Sequence, residues 1–123
     1  VKTDKDKIAI IIGIEKYKSQ FECIYCNRDA KAFREYATRA LGVKSSNIKL
    51  LVDSKASRGE TLEAFKLWLP RIAGEGGKDI YIFFSGHGLA SDDGNDLYIL
   101  PQDGESSLLE DTAISRVELC SKV

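Results

Sequence analysis

The sequence contains one histidine, His87, set in Ser85-Gly86-His87-Gly88 directly after the apolar run Ile80-Tyr81-Ile82-Phe83-Phe84. An imidazole, with an ordinary pKa of about 6.5, both takes and returns a proton near neutral pH, so general acid-base work is the chemistry it offers. The glycines on either side allow a sharp turn and the close approach of a substrate. The alternative is a lone histidine in a glycine-rich turn, and on the local pattern alone both readings stand.

The other candidates are sulfur and carboxylate groups. Cys23, Cys26 and Cys120 are odd in number and irregular in spacing, which argues against a disulfide framework and for a reducing compartment, the cytoplasm. Cys23-Ile24-Tyr25-Cys26 has the spacing of a zinc half-site or a redox pair, so a metal-binding protein using Cys23 and Cys26 is one alternative. A structural zinc site wants a second ligand pair, and only His87 and Cys120 remain, far apart in sequence. Asp92, Asp93, Asp96 and Asp103 lie in or near an acidic, turn-rich stretch, which solvation and turn geometry explain.

These groups need elements to position them. Asp79 to Leu89 opens as a strand buried on both faces, and its carboxyl end delivers His87 to the edge where open parallel sheets bind ligands. Lys7 to Gly13 is a second continuous apolar strand, and Asn47 to Asp53 a third. Glu15 to Tyr25 has no period and reads as a loop on the carboxyl-end face. From Asn27, apolar Ala30, Phe33, Ala37 and Leu41 recur at helical spacing, with Gly42 placed to end the helix. Ser57-Arg58-Gly59-Glu60 fits a capping box for a helix carrying Leu62, Phe65, Leu69 and Ile72, which Pro70 should kink or end near Leu69. Leu97 to Leu100 is a short strand, and Leu108 to Leu119 reads as a helix with Thr112 or Ser115 as cap.

The alternation predicts an α/β fold: a mainly parallel sheet flanked by helices on both faces. Residues 1–7 are polar and read as a linker, and residues 8–123 as one domain's worth of chain with 43% hydrophobic content. Lys plus Arg is 18 against 19 Asp plus Glu, a net charge of -1, so no global field recruits nucleic acid or an anionic membrane. The longest apolar runs are too short to span a bilayer.

The order of Ile10-Ile11-Ile12-Gly13-Ile14, Cys26-Asn27-Arg28-Asp29-Ala30 and Tyr81-Ile82-Phe83-Phe84-Ser85-Gly86-His87-Gly88 resembles the caspase-like cysteine peptidases, more closely the metacaspases and their bacterial relatives than animal caspases. The resemblance runs from Ile8 to about Leu119 and implies the caspase-like fold. It implies that His87 is half of a Cys-His dyad and that the backbone N–H of Gly88 helps bind the oxyanion. It further implies cleavage after Arg or Lys, in a pocket shaped by Cys26, Asp29 and Ser85, with Asp29 as a partly buried carboxylate. On the residues alone, Asp29 is equally a first-turn helix acid and Cys26 a small buried residue. The resemblance also implies calcium as a cofactor, for which Asp92, Asp93, Asp96 and Asp103 are the candidate carboxylates.

The family's nucleophile lies in an Asp-any-Cys-any-Ser-Gly motif after the next strand, and that motif does not occur here. Cys120, in Val-Glu-Leu-Cys-Ser-Lys, sits near a helix and lacks the neighbouring glycine. The resemblance therefore implies a histidine-bearing part of a peptidase whose partners are a second chain carrying the thiol and a substrate with a basic residue at the cleavage point. A chain lacking the nucleophile is also what a non-catalytic caspase-like interaction module predicts.

Overall fold

A computed structural model describes residues 2–90, 93–105 and 112–120. Its centre is β1 (Lys7–Gly13), in which Ile8 to Ile12 are each at most 1% exposed. Side chains along a strand alternate between faces, so Ile8, Ile10 and Ile12 enter one core and Ala9 and Ile11 the other. β2 (Ile48–Val52) and β3 (Asp79–Ser85) pair with β1 on opposite sides, both parallel, in the order β2-β1-β3. Parallel neighbours require crossover connections, and each here carries helix. The first is α1 (Cys26–Arg39). The second joins α2 (Arg58–Glu63), a π-helical segment (Ala64–Trp68) and α3 (Leu69–Ala73).

The two crossovers cover opposite faces of the sheet. Ala30 and Ala37 of α1 meet Ala9 and Ile11 together with Val43. Phe65 and Leu69 meet Ile8, Ile10 and Ile12, with Ile14 completing that side. Each isoleucine removed from water in this way contributes roughly 1.5–3 kcal/mol. The mixed α/β architecture with a helix-flanked parallel sheet is thus the one the sequence predicts. Close packing at the top of β1 depends on Gly13, where a Cβ would lie 2.6 Å from Ala30 Cβ and 2.8 Å from the Cys26 carbonyl. Glycine there lets the first turn of α1 rest on the strand end.

A second, antiparallel sheet follows β3. It contains β4 (Gly88–Ala90), β5 (Leu97–Ile99) and β6 (Ile114–Ser115), in that order, and leads to α4 (Arg116–Cys120). Arg58 and Lys66 both reach Glu118, at 3.6 and 3.5 Å, and tie α4 to the second crossover.

Two expectations need correction and a third is narrowed. β3 is not buried on both faces: among the described residues it pairs only with β1, and Ile82 is 43% exposed. In the order β2-β1-β3 only the middle strand has a neighbour on each side. Of the two outcomes expected at Pro70, ending the helix does not occur: the regular helix is interrupted just before it by the π segment, with Leu69 N–H reaching the Ala64 carbonyl, which widens the turn where the proline ring and missing donor would otherwise clash. The helix expected over 108–119 is confined, within the described residues, largely to Arg116–Cys120; positions 108–111 lie outside them. β-Branched Ile114, fully buried, pairs instead with Ile99. Ser115 is the cap, its Oγ accepting from Glu118 N–H at 3.0 Å.

Candidate active site

β1 and β3 end together, Gly13 opposite Ser85, and the Ile14 N–H continues the pairing by donating to the Ser85 carbonyl at 3.0 Å. Both segments then leave the sheet at the same end. The loop after β1 and the Gly86-His87 turn after β3 therefore meet, which parallel pairing makes unavoidable.

Two contacts orient His87. Its backbone N–H donates to the Tyr17 hydroxyl at 2.7 Å, and the Tyr17 ring lies 4.7 Å from the imidazole at a 44° tilt. Its Nε2 lies 2.7 Å from the Phe21 carbonyl oxygen. A carbonyl only accepts, so this hydrogen bond requires the proton on Nε2, and the neutral ring then carries its lone pair on Nδ1. The contact thereby makes Nδ1 the accepting atom of the neutral imidazole.

Tyr17 is itself largely buried. Burial, with the nearby Asp53 charge adding to it, pushes its phenol up to about 12 against the opposing effect of the His87 N–H, so the hydroxyl stays neutral. Gly86 makes room for it, since a Cβ at that position would collide with the Tyr17 hydroxyl. Neither Gly86 nor Gly88 takes a positive φ. Close approach, rather than a left-handed turn, is the reason for Gly86.

The β4–β5 ladder fixes the direction of the Gly88 N–H. Leu100 N–H donates to the His87 carbonyl at 3.0 Å, making that position hydrogen-bonded. Opposed pairs alternate in antiparallel sheets, so the next pair, Gly88 and Ile99, is not hydrogen-bonded and the Gly88 N–H points away from β5. Gly88 is exposed. A donor directed outward, one residue after the imidazole, can bind a developing negative charge.

Ser85 and Asp29 also come together: Ser85 Oγ donates to Asp29 Oδ2 over a long 3.4 Å. Asp29 is exposed rather than partly buried. It lies in the first turn of α1, beyond the sheet end, where the helix macrodipole favours a carboxylate in contact with solvent. Cys26 is buried and is joined to Cys23, a single local bond across the Cys-x-x-Cys step rather than a disulfide framework. Tyr25, at φ 69°, turns the chain back so that the two Cα atoms lie 5.7 Å apart, within disulfide range. In this form neither sulfur is a thiolate ligand. Cys120 is the last residue of α4, not at a strand end.

The acidic turn residues are engaged locally. Asp93 accepts from Asn95 N–H and Asp96 from Leu97 N–H, while Asp103 accepts from Arg58 N–H at the start of α2. Asp92 lies outside the described residues. Among the described residues no three His, Cys, Asp or Glu side chains gather to hold a metal, and no helix is long and apolar enough to cross a membrane.

The sequence reading missed Tyr17 and Phe21. The one signal available was their place in an aperiodic loop after a central strand, since a backbone carbonyl leaves no trace in residue type. A family model described as the caspase domain matches residues 6–118. No curated protein matches the chain.

Proposed function

We propose, since the chain belongs to the caspase-domain family, that its cysteine peptidase-type function takes a particular form. It is the histidine-bearing part of a metacaspase-like Cys-His endopeptidase, cutting after Arg or Lys, with the thiol supplied from outside this sequence by a second chain or segment. The observation that carries this reading is the Phe21 carbonyl on Nε2, which leaves Nδ1 to accept. The half-exposed edge of β3 supports it: beside Ile82 and Phe84 lies a recess of about 170 Å³ with an apolar lining that includes Leu97 and Ile99. A further strand bringing the thiol would find both backbone partners and apolar contacts there.

In this mechanism Nδ1 takes the thiol proton and the thiolate attacks the scissile carbonyl carbon. The oxyanion receives the Gly88 N–H, a contribution of about 3 to 4 kcal/mol in the transition state. The imidazolium then protonates the departing amine, leaving a thioester. Water, deprotonated by Nδ1, hydrolyses that thioester and frees the thiol. Asp29 pairs with the guanidinium or ammonium of the substrate, and Ser85 steadies its carboxylate. Disulfide-bonded Cys26 contributes to the pocket as buried wall rather than as a thiol.

Assay of the intact protein on Arg, Lys and Asp fluorogenic peptides tests this. Cleavage of the Arg and Lys peptides, lost in His87→Ala, is expected. Cleavage after Asp alone would overturn the pocket, and full activity of His87→Ala the mechanism. The second reading, a non-catalytic interaction module, is favoured by the missing nucleophile motif, and it predicts no turnover of any of the three peptides.

A further inference from the structure

The carboxylate of Asp53, at the end of β2 and far in sequence from His87, is the best-connected side chain near the site. Its Oδ1 accepts from the backbone N–H groups of Glu15 and Lys16, at 3.0 and 3.1 Å. Its Oδ2 accepts from Asn27 Nδ2 at 2.7 Å. Glu15 repeats the link, its Oε1 accepting from Asn27 N–H at 3.0 Å and its carbonyl from Cys23 N–H at 2.8 Å. Just beyond, Lys18 N–H donates to the Gln102 carbonyl at 3.0 Å. Tyr17 is therefore held between two anchored neighbours, and its hydroxyl meets His87.

Asp53 also sits at φ 52°, in the left-handed region that non-glycine residues seldom occupy. Such strain persists where surrounding structure over-determines it. Burial raises the carboxyl's pKa, yet the Lys16 N–H, the Asn27 amide, the Glu15 N–H and the Lys16 charge together hold it below its ordinary value. The ionised form is the one the loop is built on.

We propose that Asp53 is a positioning residue for the reaction, fixing Glu15 and Lys16 so that Tyr17 and the Phe21 carbonyl present the His87 imidazole with Nδ1 as its accepting atom. This rests on the reading of His87 as the base. Asp53 touches neither substrate nor the reacting atoms. It acts through the loop after β1, and it connects all three parallel strands at their carboxyl ends: β2 through itself, β1 through Glu15, β3 through Tyr17.

Asp53→Gly separates the two roles of the position, because glycine adopts the same φ without strain but supplies no acceptor. Asp53→Asn is the conservative control. Asparagine tolerates the left-handed region, its amide oxygen can accept from both backbone N–H groups, and, once the Asn27 amide flips, its NH2 can donate to Asn27 Oδ1, which is buried with no hydrogen-bond partner among the described residues. The readouts are kcat and KM on an Arg peptide, and the ring 15N signals of the intact protein with labelled histidine, in which His87 is the only histidine of this sequence.

Asp53→Gly is expected to lower kcat about 10- to 100-fold with KM little changed, and to move the ring signals from the Nε2-protonated tautomer toward a mixture. Asp53→Asn is expected to restore both. Tyr17→Phe, which removes the hydroxyl that accepts from His87 N–H, is expected to shift the ring signals in the same direction, so the test survives if Asp53→Gly does not fold. Wild-type ring signals in folded Asp53→Gly or in Tyr17→Phe overturn the proposal. The ring signals require no turnover: absent peptidase activity would defeat the proposed function alone, while unchanged signals in an active variant would defeat the anchor alone.

Discussion

β1 and β3 are both seven-residue apolar strands, paired residue for residue, and yet they are unlike in burial. β1 is sealed by helices on both faces and strands on both sides. β3 is exposed in part along its whole length, with Ile82 at 43%. The contrast separates two duties: β1 carries the core of the fold, and β3, on the proposed function, carries the base at its carboxyl end, its outer edge unpaired among the described residues.

The contrast can be broken first at His87. His87→Ala is expected to lower turnover of an Arg peptide about 10²- to 10⁴-fold, while the urea midpoint stays close to wild type; a large loss of stability would mean that the end of β3 also holds the fold. Next, Ile10→Ala in β1 should cost about 2–5 kcal/mol in urea unfolding, and the matching Ile82→Ala in β3 less than about 1 kcal/mol. Equal costs would erase the distinction between the strands.

Tyr17 links the two strand ends and gives the contrast a pH signature. Its folded pKa is raised, so its contribution is complete below the unfolded value of about 10 and is lost as pH rises toward about 12. A two-unit shift corresponds to about 3 kcal/mol. Alkaline unfolding followed by fluorescence should show this loss, and Tyr17→Phe should remove it. The smallest effect is expected at the Cys23–Cys26 bond, which closes a very short loop: the double variant Cys23→Ser, Cys26→Ser should lose at most about 2 kcal/mol in thermal unfolding.

Much of this was legible in the residues. Ile8 to Ile12 announce a central strand because burial on both faces demands a continuous apolar run, and Ala30, Phe33 and Ala37 announce α1 by their spacing. The resemblance places Ser85 and Asp29 in one pocket, and the two side chains lie within 3.4 Å of each other. Edge position is another matter: the apolar run of β3 looks the same whether its second neighbour is present or not, so its exposure could not be read. Pro70 carried a sound local rule, but which of its two outcomes holds depends on the π segment before it. The groups that orient His87 were hidden for different reasons. Phe21 acts through a carbonyl that every residue has, Tyr17 through a hydroxyl in a loop without period, and Asp53 through backbone N–H groups 37 and 38 residues away.

On the proposed function this chain holds the base and the thiol lies elsewhere. An arginyl chloromethyl ketone alkylates the thiolate of such a site with loss of chloride, and peptide mass spectrometry of the intact protein locates the adduct. An adduct is expected on a cysteine that is not in this sequence, formed far more slowly in His87→Ala. An adduct on Cys120, or labelling indifferent to His87, would contradict it.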